Sequence, residues 1–101
     1  MEQIYREELL HGSHTVYAQY DGHGDLTLRS FHFGSDVETF WGSDEYEYYF
    51  TVDKESLPKF FLNCLTRGFN SEEKLTLHDL QKICDKEGIK YSTNTWVWYG
   101  N

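Results

Sequence analysis

EYEYYFTVDKESLPKFFLNCL, Glu45 to Leu65, is the stretch in which the chain changes period. Tyr46, Tyr48, Phe50 and Val52 alternate with Glu45, Glu47, Tyr49 and Thr51. That is a β-strand with one core face and one acidic face that carries an aromatic. A few residues on, Leu57, Phe60, Phe61, Cys64 and Leu65 fall at i, i+3, i+4, i+7 and i+8, one stripe of a helix. Asp53 or Ser56 can cap its start. Pro58 falls in the first turn, where the missing N–H costs little, and Gly68 offers a stop. The segment is therefore the hinge between a strand half and a helix half.

Upstream, His14 to Tyr20 (HTVYAQY) and Leu26 to Phe33 read as two strands joined by DGHGD, residues 21 to 25, whose Asp and Gly suit a hairpin turn. The second strand slips in parity. Leu26 and Leu28 share one side and Phe31 and Phe33 the other, which implies either two covered faces or a bulge near Arg29. Residues 2 to 10 fit a strand or a short helix. Residues 34 to 44 form a loop with one helical turn at 36 to 40. Downstream, Thr76 and Asp79 have capping-box spacing, and Leu77, Leu80, Ile83 and Cys84 form the inner face of a second helix. Gly88 followed by Ile89 has the form of a Schellman stop. Tyr91 to Tyr99 ends the chain as a strand that returns into the sheet to bury its tryptophans. The expectation is one domain over residues 1–101, of the α+β class: an antiparallel sheet with a pair of helices on one face, in the order β-β-β-α-α-β.

Charge and composition narrow the function. The net charge is −8 over 101 residues. Residues 1 to 53 carry eleven acids against Arg6 and Arg29, for −9, and the remainder carries six acids against seven bases, for +1. A duplex or an anionic membrane needs a basic face, so neither is expected as a partner. No apolar run is long enough for a membrane span, and MEQIYREELL lacks the apolar core of a secretory signal. Cys64 and Cys84 are too few for a disulfide scaffold. Together these point to the cytoplasm, with both thiols reduced and acting as apolar fillers on the two helices.

Motifs of catalysis and metal binding are weak. His11 and His14 are the closest histidine pair, yet on a strand they point to opposite faces. DGHGD lacks the Gly and Glu that a calcium loop needs at its sixth and twelfth positions. No GxSxG or P-loop occurs. No cofactor and no metal are expected, and the histidines read as exposed polar residues. The alternative reading is a small ribonuclease-like hydrolase built from His11, His14, His32 and Arg29 as acid, base and phosphate clamp. An RNA substrate would meet the −9 half of the chain. A third reading is a self-associating structural or regulatory subunit.

Pattern and chemistry agree best on the acidic side of the Glu45–Val52 strand and the loop before it. Asp36, Glu38, Trp41, Asp44, Glu45, Glu47 and Tyr49 set aromatics among acids, the composition of a surface that captures a Lys- and Arg-rich protein. FGSDVETFWGSDEYEYYFTV (residues 33 to 52), the Leu/Phe-rich helix and LQKICDKEGIKYSTNTWVW (residues 80 to 98) together resemble small bacterial immunity proteins, the antidotes to polymorphic or contact-dependent inhibition toxins. The resemblance covers about two thirds of the chain. It implies a cytosolic, non-catalytic protein, a monomer or weak homodimer, that neutralises a cognate basic toxin such as a nuclease. It supplies no site residue.

Overall fold

The computed structural model describes residues 2–9, 12–34 and 45–98. The chain forms β1 (Glu2–Leu9), β2 (Gly12–Tyr20), β3 (Leu26–Gly34), β4 (Glu45–Val52), a single 3₁₀ turn (Lys54–Ser56), helix α1 (Leu57–Asn70), helix α2 (Leu77–Glu87) and β5 (Tyr91–Trp98). The five strands make one antiparallel sheet in the order β1-β2-β3-β4-β5, with the helices on one face. The α+β architecture expected from the period change is the one observed. Residues 2 to 9 resolve as a strand, so the order is β-β-β-β-α-α-β.

The β2–β3 and β3–β4 registers run without interruption, so there is no bulge near Arg29. The other expected cause is the one that fits: β3 has buried neighbours on both faces, Phe50 on one and Thr15 and Glu47 on the other. Leu26, Leu28, Ser30 and His32 face the helix side, and Phe31 and Phe33 face the other. The irregularity lies in β1, between Gln3 and Tyr5.

The β2–β3 turn is built by Asp21. Its carboxylate accepts from the N–H groups of His23 (2.8 Å) and Asp25 (3.1 Å), and Gly24 takes φ 87°, a conformation that glycine adopts without steric cost. Asp25 Oδ1 in turn accepts from Lys54 N at 2.8 Å, tying the turn to the start of the helical half. DGHGD thus has a structural use for both of its carboxylates.

α1 begins with Ser56 at the N-cap position, without a side-chain cap bond, and with Pro58 in its first turn. It runs through Gly68 to Asn70 rather than ending at Gly68, because the last turn is held by side chains: Asn70 Nδ2 donates to Thr66 O, and Arg67 reaches Glu73 O. The stripe also divides. Leu57 and Phe60 are buried and Cys64 packs beside them, while Phe61 and Leu65 are exposed. α2 has the capping box that its sequence implies. Asp79 N donates to Thr76 Oγ1 (3.1 Å), and Thr76 N donates to Asp79 Oδ2 (2.9 Å). It stops at Gly88 (φ 66°), where Ile89 N donates to Cys84 O.

The core lies at one end of the sheet. Leu26, Leu28, Phe50 and Val52 meet Leu57, Phe60, Leu80, Cys84 and Ile89, and Phe50 and Val52 are 0% exposed. Cys84 is wholly inside, and burial pushes its thiol up to about 11, so it stays protonated and unreactive at neutral pH. Among the described residues, no helix is long and apolar enough to cross a membrane.

Candidate functional site

The helices cover the core end of the sheet and leave two regions that could bind something. One is the sheet face turned away from the helices. The other is the rest of the helix-side face.

On the open face, strand alternation sets Tyr17 (β2), Arg29, Phe31 and Phe33 (β3) and Glu47 and Tyr49 (β4) side by side. Arg29 is its centre. Its guanidinium pairs with Glu47 and lies 5.7 Å from the ring centroids of both Tyr17 and Phe31, within cation–π range. The hydrogen bond from Arg29 to Glu47 holds the arginine even more firmly charged than usual. Tyr49 donates its hydroxyl to the second oxygen of Glu47 at 2.9 Å, and burial followed by that bond raises the phenol's pKa. Phe33 stands 42% exposed at the edge of this patch.

The sequence-predicted site residues fare differently here. Glu47 and Tyr49 are brought together on the expected face. Glu47, however, is only 6% exposed and its charge is matched by Arg29. It therefore positions Arg29 and Tyr49 and is not a free acid awaiting a basic partner. Glu45 occupies its strand position in β4, paired in register with Phe33. Asp36, Glu38, Trp41 and Asp44 lie outside the described residues. The members that sequence reasoning missed are Arg29, Tyr17, Phe31 and Phe33. Their parity was legible, but the β3–β4 register was not.

On the helix side, a cavity of about 760 Å³ opens where α2 and the residues before it overhang β1 to β4. His14 and His32 face each other across β2 and β3, with stacked rings 3.9 Å apart and 11° from parallel. His14 Nε2 lies 2.8 Å from Ser30 Oγ. Burial, and then the neighbouring His32, lowers the pKa of His14 to about 4, and burial lowers that of His32, so both rings are neutral at pH 7. At the rim, Lys74 bonds to Tyr5 and, at 2.9 Å, to Glu7, and the hydrogen bonds that Glu7 accepts from Lys74 and from the Tyr5 hydroxyl (2.8 Å) hold its carboxyl below the usual range.

His14 and His32 are therefore half-buried, not exposed polar residues, because the sheet pairs them under the α2 overhang. His23 and His78 are exposed, and His11 lies outside the described residues. The hydrolase set does not assemble as expected. Arg29 is on the opposite face of the sheet from His14 and His32, paired to Glu47. A neutral imidazole bonded to a serine hydroxyl is half of a nucleophile–base pair. An acyl-transfer site also needs backbone donors aimed at the reacting oxygen. Ser30 lies inside a central strand, where the ladders to β2 and β4 take up the backbone N–H groups. No group of three or more His, Cys, Asp or Glu among the described residues could hold a metal ion.

Comparisons with protein-family models, with curated proteins and with solved structures return no match to any of the three.

Proposed function

We propose that the chain is a non-catalytic binding protein of the immunity type, which neutralises a basic protein, a toxin such as a nuclease, by stoichiometric binding in the cytoplasm. One observation carries this reading. Aromatic side chains and a charge-matched Arg29–Glu47 pair form a contiguous patch on the sheet face opposite the two described helices, on a chain of net charge −8.

The patch supplies what a tight protein interface needs at its centre: rigid aromatics with few rotamers to freeze, and a charge pair already formed before docking. The acidic half supplies long-range attraction. It raises the on-rate for a basic partner, while the desolvated aromatics slow release. Glu45 and the acids Asp36, Glu38 and Asp44, with Trp41, belong to the same reading as steering elements. β3 ends at Gly34 and β4 begins at Glu45, which pairs in register with Phe33.

The experiment compares capture by the tagged wild-type protein with capture by Phe33→Asp, from lysate of the native cell at low and moderate salt. The expected result is one basic protein, retained stoichiometrically by the wild type and lost from F33D while circular dichroism is unchanged. Equal capture by F33D refutes the open face as the site. Absence of any basic partner, with a stable homodimer in sedimentation velocity, refutes the function.

A further inference from the structure

The helix-side cavity stands apart from the open face: the sheet itself lies between them. Its volume, about 760 Å³, is that of a small-molecule site. Its floor is set by the ladders of β1 to β4 and is in place before anything binds, so occupancy costs little ordering.

The lining has a definite chemistry. Val16, Leu28 and Leu80 supply an apolar wall. The His14 and His32 rings stack face to face across β2 and β3, with Tyr5 5.8 Å from His14 on one side and Tyr46 6.0 Å from His32 on the other, so the row presents ring edges to the cavity. His14 is engaged through Nε2 with Ser30, whereas the His32 ring makes no hydrogen bond among the described residues. A neutral imidazole in that state offers one donor and one acceptor. Formal charge, by contrast, is already matched among the described lining residues: Glu7 and Lys74 bond to each other at the rim. An ionic ligand would leave water without a buried counter-charge.

We propose that this cavity is a binding site for a small, uncharged aromatic ligand, lying across the edges of the His14–His32 pair, hydrogen-bonded at its own edge to His32, and packed on Val16, Leu28 and Leu80. The ligand's apolar body matches the Val16, Leu28 and Leu80 wall, and its single polar edge matches His32, whose ring makes no hydrogen bond among the described residues.

The probe is indole, titrated into the full chain and followed by heteronuclear NMR, with benzoate and benzamidine as anionic and cationic counterparts. Saturable shifts are expected at His14, His32, Tyr46 and Leu80 together, with indole bound at least tenfold more tightly than either ion. His32→Ala weakens binding at least fivefold. Val16→Phe, which grows a ring into the cavity, abolishes it. The proposal is overturned if indole produces no saturable shift at these four residues. It is also overturned if either ion binds as tightly as indole, or if a folded H32A or V16F chain keeps wild-type affinity. The wild-type titration decides even if both variants fail to fold.

Discussion

Two stretches of one strand face show how the molecule divides its labour. On the helix side of β3, Leu26 and Leu28 sit under α1 and α2 in the core. Ser30 and His32, the next two residues on the same side, face the open cavity. The parity is unbroken and only the residue type changes. Phe50 against Tyr46 repeats the contrast on β4, one in the core and the other at the cavity wall. Alternation tells which face a side chain takes. A change from apolar to polar along one parity tells where the covering layer ends.

The largest effect tests that boundary. Phe50→Ala removes a fully buried ring and should destabilise the fold by about 3–5 kcal/mol. His32→Ala at the cavity should cost less, about 1 kcal/mol, since the half-buried ring borders the cavity and is not enclosed by the core. Urea unfolding of both variants is the measurement, and equal losses would break the contrast. Glu47→Gln extends it to the far face. The substitution leaves Arg29 without its counter-charge, and because the guanidinium side chain is about a third exposed, the expected cost is about 2 kcal/mol, lower than for a fully buried pair. The same unfolding experiment checks it.

Acidification sharpens the contrast from the cavity end. The fold favours neutral His14, so the unfolded chain takes up a proton near its ordinary pKa of 6.5, whereas the folded chain resists until about 4. Stability held above pH 6.5 is therefore lost progressively as the pH falls from 6.5 to about 4. After allowance for the ring's partial exposure, the loss should be about 1–2 kcal/mol. His14→Gln should flatten the pH dependence of the urea midpoint over that window. The smallest effect lies in the element that overhangs the cavity. Thr76→Ala removes the capping box of α2 and should cost about 1 kcal/mol, read as a lower thermal midpoint with the core contacts intact.

Much of the fold was legible because its signals are local. The switch from period two to period 3.6 at Glu45–Leu65, the Thr76–Asp79 box and the Gly88 stop each depend on residues close in sequence. What escaped depended on register. Glu47 reads as an outward acid until β3 is laid beside β4 and Arg29 falls diagonal to it. His14 and His32 are 18 positions apart, and only the β2–β3 pairing brings them into contact. The two partners of the α1 stripe that turned out exposed, Phe61 and Leu65, were equally compatible with the helical period. The burial of Leu57 and Phe60 in their place follows from where the helix meets the sheet end, which no local pattern encodes.

The strand order has a kinetic consequence. Every strand lies beside its neighbour in sequence, so β1 to β4 form by successive hairpin closures. β5 alone must wait, because the whole helical segment from Asp53 to Lys90 separates it from β4. Its docking closes the longest loop in the sheet and carries the largest entropic cost. The strand order therefore predicts an early species with β1 to β4 paired and β4 at the edge, and late docking of β5. Mutations in the α1–α2 core should therefore slow the final step of folding, and those in the β2–β3 turn the first.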